Sequence, residues 1–488
     1  MRAIGETGRH QPVRLVLHPD RVLPTQPGRR AIARQILAQT ETLPIVSPHG
    51  HVDVALLAED RPFPDPAELF IRPDHYLTRM LGSQGIGRER LGLPADPQVA
   101  LPDPRATWRL FCQHWRLFRG TPTRHWLLEV WGGLFGLDEH PGEANADRLY
   151  DQMAARLAEP DFRPRALLER FGIEWLATTD AAWDSLDQHR RLARAGGPAR
   201  VRPTFRPDAL FALTAPDWRD RLARLEAAVG QDINGQATFV AALRRRRQDF
   251  IAAGARASDQ AAVSADSTPL TAWEADRVFA AALAGHATSD QAAAFTAHMV
   301  FEMARMSCDD GLTMQFHPGA ERDYLSQVWR LWGSDVGYDI PVAVDFVRGL
   351  RPLLEAFGHD PGFRMVVFTL DETTFSRELA PLAGVFPALK LGAPWWFLDS
   401  PAGLRRFRQA VTDTAGFYNT TGFVDDTRAF CSIPARHNLA RRIDAGHLAG
   451  LVAEHSLELD EAVETAIDLA YNLPNQAYPP PPGGPADD

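Results

Sequence analysis

Cysteine is scarce in this chain of 488 residues, and its three cysteines, Cys112, Cys308 and Cys431, lie far apart. An odd number at such spacing does not form a disulfide framework, and it contains none of the close pairs of a structural zinc module. The scarcity argues against a disulfide-stapled secreted scaffold and indicates a protein of a reducing compartment.

Lysine is scarcer still, because Lys390 is the only one and all other basic side chains are arginines. A Schiff-base mechanism, or a metal pair bridged by a modified lysine, could therefore use only Lys390. Positive charge is also in deficit, with a net charge of −10. The deficit argues against a nucleic-acid partner, although a local arginine cluster could still bind an anionic substrate.

Long apolar runs are missing as well: the N-terminus lacks the apolar core of a signal peptide, and no run is long enough to span a bilayer. We therefore expect a cytoplasmic protein with no membrane partner. The composition, 45% hydrophobic and 23% charged, is that of an ordinary globular protein. Its length allows one large domain with insertions, or two or three domains.

The motif His49-Gly50-His51 follows a short apolar run, residues 43–46, that is typical of a buried strand. Side chains i and i+2 of a strand point the same way, so the two imidazoles should project together from its carboxyl end. Converging imidazoles suit zinc or manganese better than magnesium or calcium, which prefer oxygen. A turn with two solvated histidines is the alternative, since H-x-H alone is common.

A regular alternation of strand and helix patterns sets in after residue 170. Strands are predicted at 43–48, 175–180, 201–206, 256–259, 312–317, 364–370, 389–392 and 421–426, and helices between them at 276–306, 322–334, 341–357, 373–384 and 401–414. Eight such units predict an α/β fold, a (β/α)8 TIM barrel. A doubly wound open sheet is the alternative, but no G-x-G-x-x-G turn follows any strand.

The chain divides into four parts by pattern. Residues 1–53 form a lead-in with a helix near 28–40 and the first barrel strand, and 54–170 form a mostly helical insertion whose tryptophans should be core. Residues 171–475 complete the barrel and end in two extra helices, about 434–448 and 458–471. The Pro-rich tail 476–488 is expected to be disordered.

The carboxyl ends of barrel strands face one shared cavity, and here they carry polar side chains. These are His49 and His51 after strand 1, Asp180 after strand 2, Arg206 after strand 3, His317 after strand 5, and Asp425, Asp426 and Arg428 at strand 8. Strand 8 neighbours strand 1, so a distant aspartate would join the two imidazoles in a three-ligand catalytic metal site. The arginines suggest a carboxylate- or phosphate-bearing ligand.

Each of these residues also has a purely structural interpretation. Asp180 could cap a helix, Arg206 could be a surface arginine, and His317 could be a satisfied core histidine. Arg428 could pair with Asp425 or Asp426. So many ionisable groups at strand ends nevertheless favour a functional site over coincidence.

Longer motifs spread over most of the chain resemble those of the uronate isomerases of the amidohydrolase superfamily. The matching segments are His49-Gly50-His51, Asp74-His75-Tyr76 followed by Arg79, Thr178-Thr179-Asp180, Asp184-Ser185-Leu186, the P-T-F-R-P-D of 203–208, the M-Q-F-H-P-G-A-E-R of 314–322, the G-A-P-W-W of 392–396, the D-T-R-A-F of 426–430, and Arg436-His437 with Arg441-Arg442. Two departures are Gly50 in place of the family cysteine and Gln260 in place of a family histidine.

The resemblance implies one divalent metal, zinc or otherwise manganese, held by His49, His51 and Asp426. It also implies a substrate pocket lined by the residues His75, Tyr76, Arg206, His317, Trp396 and Arg428. The implied reaction interconverts D-glucuronate or D-galacturonate with the 2-ketohexuronate, D-fructuronate or D-tagaturonate. Members tend to be oligomers, so we expect a homo-oligomer that acts on a small-molecule hexuronate.

Such an isomerisation moves a proton between C2 and C1, which requires a positioned base and stabilisation of charge on oxygen. Asp426 or Tyr76 is expected to carry the proton, with Arg428 and Arg206 orienting the substrate beside the metal. Tyr76 would serve only if its pKa were depressed. The alternatives are a mononuclear metal-dependent hydrolase, a lactonase or deaminase, on the same barrel, and a sugar-acid binding protein without turnover.

Overall fold

The computed structural model of the chain describes residues 13–96, 98–196 and 200–485. Eleven strands occur there: β1 Ile45–Ser47, β2 Ile173–Ala177, β3 Asp180–Ala181, β4 Arg200–Arg202, β5 Phe205–Arg206, β6 Ala257–Ala262, β7 Thr313–Pro318, β8 Ala320–Glu321, β9 Ile340–Pro341, β10 Met365–Val367 and β11 Leu389–Leu391. Only β8 and β9 pair antiparallel among these; every other pairing is parallel.

The parallel strands follow one another in the order of a barrel. One row runs β1-β2-β4 and the other β3-β5-β6-β7-β10-β11. The rows are continuous, because β3 continues β2, β5 continues β4, and the Thr178 amide donates to the Arg202 carbonyl at 2.9 Å between them. Their inner and outer faces are buried, as expected of a parallel sheet covered by helices.

Residues 420–427 occupy the place of the eighth strand and complete the expected (β/α)8 barrel. On one side the Thr421 amide donates to the Leu391 carbonyl at 3.0 Å. On the other side the His51 amide donates to the Thr427 carbonyl at 3.0 Å, and the Asp426 amide donates to the His49 carbonyl at 3.3 Å. The predicted strand 421–426 is wrong in detail, because this segment is extended chain that bonds to its neighbours only near its ends.

The segment between β1 and β2 is helical. Its α-helices are Val54–Glu59, Pro66–Phe70, His75–Gly82, Pro104–Gln113, Pro122–Glu129, Ala146–Leu157 and Pro164–Arg170, and shorter turns are Arg88–Leu91, Trp115–Phe118, Val130–Leu134 and Pro160–Phe162. Its four tryptophans, Trp108, Trp115, Trp126 and Trp131, are at most 6% exposed and pack in the same apolar core as Ile45 and Val46 of β1. The insertion is therefore fixed against the first strand, beside the H-x-H motif.

Helices cover the barrel on the outside. They are Pro27–Ala38, Asp187–Ala195, Trp218–Val229, Gln236–Ala252, Ala272–Leu283, Ser289–Asp310, Ser326–Trp332, Phe346–Gly349, Arg351–Phe357, Ala380–Val385, Pro401–Ala415, Ile433–Ala453, Leu459–Ile467 and Leu473–Ala477, with further turns at Asp208–Leu210, Phe375–Leu379, Trp396–Leu398, Phe430–Ser432 and Asp468–Asn472. The single helix predicted at 276–306 is two helices. Gly285 has a φ of +75° and ends the first, and Thr288 caps the second. No described helix is both long and apolar enough to cross a membrane.

The Pro-rich tail is ordered up to residue 485, so the expected disorder is wrong for 476–485; residues 486–488 lie outside the described part. Tyr478 is fully buried, and its hydroxyl donates to the Gln315 side-chain carbonyl at 3.2 Å. Its own carbonyl accepts from Arg256 Nη1 at 3.2 Å, and Thr313 Oγ1 donates to the Ala477 carbonyl at 2.8 Å. The tail therefore closes the barrel at the amino ends of β6 and β7, which composition alone does not reveal.

Candidate active site

Two imidazoles and one carboxylate converge where the first strand meets the closing segment. His49 Nε2 lies 3.3 Å and His51 Nε2 lies 3.1 Å from Asp426 Oδ1. The backbone hydrogen bonds between residues 49–51 and 426–427 hold the three side chains together. His49 is almost fully buried, whereas a quarter of the His51 side chain is exposed, so the group is reached from the His51 side.

His317 lies directly beside His49, from across the barrel. The two rings stack with centroids 4.7 Å apart, and the ring of Phe368 also stacks on His317, at 4.1 Å. His317 Nδ1 lies 2.7 Å from Asp259 Oδ1, which favours the tautomer with its proton on Nδ1. Its other nitrogen, Nε2, is buried and has no partner among the described residues, so it is free to accept or to bind a ligand.

The donor set fits a divalent metal ion of the zinc or manganese class. Nitrogen and oxygen donors of His49, His51 and Asp426 lie within 4.8 Å of one another, which allows one ion to be bound by all three. Three protein ligands with an open position are the catalytic pattern of zinc. The buried, unpartnered Nε2 of His317 is a further donor at the same place. His49, Asp259 and His317 form a second such group, but there the Asp259 carboxylate is already bound by His317 and Arg206.

The charges of this group favour an ionised Asp426. Burial alone would raise the pKa of its carboxyl, but His49 and His51 lower it to well below its usual range. Burial lowers the pKa of His51, and the carboxylate of Asp426 only partly offsets this. Burial lowers the pKa of His49 too, but there Asp426 and Asp259 outweigh it and raise the pKa above its usual value, so a bound ion would displace a proton from this group.

Two residues of the site have backbone conformations that are rare outside glycine. Asp426 has a φ of +40° and Trp396 has a φ of +46°. Such left-handed conformations cost roughly 1–3 kcal/mol and persist where surrounding contacts enforce them. Here the bonds of residues 426 and 427 to the loop after β1 enforce the conformation that turns Asp426 towards the histidines.

Aromatic side chains form one wall of the site. The helix His75–Gly82 begins there, capped by the Asp74 carboxylate, which accepts from the Tyr76 amide at 2.8 Å. His75 lies 5.1 Å from Trp396, and Tyr76 packs edge-on against Trp126. The Tyr76 hydroxyl donates to Asp399 Oδ2 at 2.8 Å, so the phenol points into a buried carboxylate behind the wall.

Both predicted arginines are ion-paired. Arg206 donates to Asp208 through two nitrogens, at 2.9 and 3.3 Å, and its Nη1 lies 3.1 Å from Asp259 Oδ2. Arg428 donates to the carboxylate of Asp335, which belongs to the loop between the helix Ser326–Trp332 and β9. The Arg428 guanidinium thus already binds one carboxylate, which shows that it can bind an anion in the cavity.

Most of the predicted site residues line one cavity of about 620 Å³, counting its open mouth. The predicted residues among its walls are His49, His51, His75, Tyr76, Arg206, His317, Trp396, Asp426 and Arg428. Asp180 and Asp425 are not among its walls. Asp180 accepts from Thr178 Oγ1 at 2.7 Å between β2 and β4, and it caps no helix.

Comparison with known proteins agrees with this architecture. The sequence model described as glucuronate isomerase matches residues 29–478. A protein named uronate isomerase from Rhizorhabdus wittichii is 51% identical over 464 residues, which are 95% of this chain and 98% of that protein. The chain belongs to the glucuronate isomerase family. The prediction of an enzyme, and of a uronate isomerase, is thereby confirmed.

Solved structures of the family share the fold over nearly the whole chain. The crystal structure of glucuronate isomerase from Caulobacter crescentus superposes with a TM-score of 0.93 at 47% identity, covering 95% of this chain and 97% of that one. Uronate isomerase from Thermotoga maritima superposes with a TM-score of 0.88 at 26% identity, covering 95% and 99%. The fold of this chain is therefore shared with both solved structures over nearly its whole length.

Four residues near the cavity of this family member were not predicted as site residues: Asp259, Asp335, Asp399 and Arg436. Asp259 is the last residue of the predicted strand 256–259, which is the weakest of the eight. Its position at a strand end was the one signal that could have identified it as a site residue. Asp335 and Asp399 lie in loops far along the chain from their partners, where no local pattern marks them. Arg436 belongs to a recognised motif, but the sequence does not show that its side chain reaches the cavity.

Proposed function

We propose that the protein is a metal-dependent aldose–ketose isomerase that interconverts D-glucuronate with D-fructuronate and D-galacturonate with D-tagaturonate. The observation that carries the proposal is the convergence of His49, His51 and Asp426 at the floor of a cavity that also contains Arg428. The two imidazoles and the carboxylate can bind a divalent cation, and the Arg428 guanidinium can bind the carboxylate of a hexuronate. The named relatives act on compounds of the same class.

The proposed metal is zinc, with manganese as the alternative, held by His49, His51 and Asp426 with His317 adjacent. When bound, such an ion polarises a substrate oxygen as a Lewis acid. Arg428 anchors the substrate carboxylate in exchange for Asp335, and His75 and Trp396 pack against the sugar. Arg206 is paired with Asp208 and Asp259, so its proposed task is to orient the Asp259–His317 pair.

Asp426 is the proposed base for the C2 proton. Its carboxyl is ionised at neutral pH, as a base must be, and because His49 and His51 hold its pKa well below the usual range, its role depends on its position at the cavity floor rather than on high basicity. Tyr76 is disfavoured as that base, because burial and Asp399 raise the pKa of its phenol well above the ordinary value. Tyr76 would need a lowered pKa to act as the base, whereas its surroundings raise its pKa.

The central test is an assay of the purified protein with both uronates. We expect ketose formation to be lost on chelation and restored by Zn²⁺ or Mn²⁺. His49→Ala should lose bound metal, whereas His286→Ala, which removes an exposed histidine far from the site, should not. Full metal occupancy in His49→Ala would contradict the ligand assignment.

The proton path is tested with C2-deuterated glucuronate. Asp426→Asn should turn this substrate over roughly 100-fold more slowly or worse, the range for removal of a general base. Wild-type turnover would remove Asp426 from the proton path. Release of acid from lactones or of ammonia from amines, without ketose formation, would favour the hydrolase alternative instead. Homo-oligomerisation and a cytoplasmic location stay predictions; light scattering tests the first.

A further inference from the structure

The motif Arg436-His437 with Arg441-Arg442 belongs to the helix Ile433–Ala453, and the function proposed above gives the motif no task. His437 and Arg441 are four residues apart, so they lie one above the other on the same face of the helix. Both side chains are buried, and neither is among the walls of the cavity. They therefore do not touch a substrate in the cavity, and any part they have in the reaction passes through other residues.

His437 holds the end of the closing segment of the barrel. Its Nε2 donates to Asp425 Oδ2 at 3.0 Å, and the ring of Phe423 packs edge-on against the imidazole at 5.0 Å between centroids. The neighbouring Arg436 Nη1 donates to the Asp425 carbonyl at 3.2 Å. The side chain and the carbonyl of the residue before Asp426 are thus both held from one helix.

Arg441 holds the start of the first strand, one helical turn further on. Its Nη2 donates to the carbonyls of Leu43 and Pro44 at 3.0 Å each, and its Nη1 donates to the Glu41 carbonyl at 3.4 Å. These residues lead directly into β1, which is followed by the H-x-H motif. One face of one helix therefore contacts both chain segments whose meeting forms the candidate metal site.

The geometry of the three ligands depends on these two segments staying in register. Hydrogen bonds between residues 49–51 and 426–427 join the segments to each other, but they do not fix the joined pair to the rest of the molecule. Asp426 also has a φ of +40°, which persists only where surrounding contacts enforce it. The helix supplies contacts to both segments from outside, as a preorganised site requires.

We propose that His437 and Arg441 are positioning residues for the metal site. His437 acts through Asp425 on Asp426. Arg441 acts through the start of β1 on the two histidines of the site. Contacts behind metal ligands orient them, and their removal typically lowers metal affinity or activity by about 10- to 100-fold. The inference rests on the metal site of the function proposed above.

The test is the affinity of the full-length protein for Zn²⁺, measured by competition with a chromophoric chelator. His437→Leu removes the donor to Asp425 and should weaken zinc binding by about 10-fold or more. His437→Gln keeps an N–H donor on a side chain of similar reach, so it should bind zinc within about threefold of the wild type. Arg441→Met releases the start of β1 and should weaken zinc binding by about 10-fold, even if His437→Leu fails to fold.

Arg442 provides the matched control, because it belongs to the same motif but its hydrogen bonds in the described part of the chain go elsewhere. It donates to Asn438 Oδ1 at 3.0 Å and to the Pro19 carbonyl at 2.6 Å. Arg442→Met should lower the temperature of unfolding and leave the zinc affinity unchanged. This variant separates a general loss of stability from a loss of ligand position. At saturating Zn²⁺, kcat should fall about 10-fold in His437→Leu with KM changed by less than about threefold, because the cavity walls remain.

Unchanged zinc affinity in folded His437→Leu and Arg441→Met, beside a wild type that binds zinc, would overturn the proposal. An equal loss of zinc affinity in Arg442→Met would also overturn it, since the loss would then follow stability alone. A wild type that binds zinc but isomerises neither uronate would overturn the proposed function alone, because the zinc affinities test the positioning residues without turnover.

Discussion

Gly50, between the two histidines, is a glycine that the backbone does not require. A Cβ built there would lie 3.5 Å from the Ala177 carbonyl oxygen and from Asp425 Oδ1, which is ordinary contact, and its φ is not positive. Gly50→Ala should therefore raise the free energy of unfolding by about 0.4–1 kcal/mol, by restricting the unfolded chain. Urea unfolding measures this change.

The matched control for Gly50 is Gly422. It has a φ of +75°, and a Cβ there would lie 2.3 Å from the Leu469 carbonyl oxygen. Gly422→Ala should be clearly destabilising. Equal losses of stability in both variants would contradict the view that position 50 accepts a side chain.

Asp180 gives a prediction for the dependence of stability on pH. Burial raises the pKa of its carboxyl to about 7, against 3.8 for an ordinary aspartate. The stabilisation from this group is complete below about pH 4 and is lost as the pH rises through 7, since the unfolded chain releases the proton more readily. Asp180→Asn should therefore be more stable than the wild type by about 2–4 kcal/mol at pH 8, and by little at pH 4.

Unfolding of the two proteins at both pH values tests this sign. Asn can still accept the hydrogen bond from Thr178, so the comparison isolates the charge. Asp187→Asn, at an exposed aspartate of the following helix, serves as the control and should change little. The same effect of Asp180→Asn at pH 4 and pH 8 would rule out ionisation as its cause.

Among the strands, β6 carries an unusual buried amide. Gln260 is fully buried, and neither its side-chain oxygen nor its nitrogen has a partner in the described part of the chain. An unsatisfied buried polar group costs about 1–3 kcal/mol. Gln260→Met keeps the length of the side chain and should raise the unfolding free energy by about that amount.

The neighbouring strand provides the control for this variant. Gln315 accepts a hydrogen bond from the Tyr478 hydroxyl, so Gln315→Met should instead destabilise the protein. Thermal unfolding of both variants makes the comparison. A loss of stability in Gln260→Met would mean that its amide is satisfied by buried water.

The strands and most helices could be predicted from local patterns, because apolar runs and helical spacing are local signals. β7, predicted at 312–317, lies at Thr313–Pro318, and the helix predicted at 401–414 lies at Pro401–Ala415. The predicted helix 276–306 is divided into two at one residue, Gly285. A single glycine within a long helical pattern is not a clear signal that the helix ends there. The irregular pairing of 420–427 depends on strands that lie far away in sequence.

The candidate site was predictable where its residues follow strands. His49, Arg206, His317 and Asp426 stand at strand ends, and the barrel brings strand ends together. Asp335 and Asp399 were not predictable, because each meets its partner from a loop. The order of the tail was also not predictable from local sequence, because a Pro-rich composition predicts disorder. Tyr478 is buried only because the barrel is closed, and the barrel is built from residues far away in sequence.

That buried tail makes a truncation informative for the folded chain as a whole. A chain ending at residue 477 loses Tyr478 and its bonds to Gln315 and Arg256, and should be less stable by about 3–5 kcal/mol, the cost of emptying a large aromatic site. A chain ending at residue 485 keeps every described contact and should unfold like the full chain. Thermal unfolding compares the three proteins, and equal transitions would show that the tail contributes nothing.

The meeting of residues 49–51 with residues 426–427 also bears on how the protein is made. Translation produces His49 and His51 hundreds of residues before Asp426, so a shorter nascent chain on the ribosome carries the imidazoles without their carboxylate. Binding of the proposed ion by all three ligands therefore has to wait until Asp426 has been made and the barrel has closed. A ribosome stalled before codon 426 should hold a chain that does not retain zinc through purification.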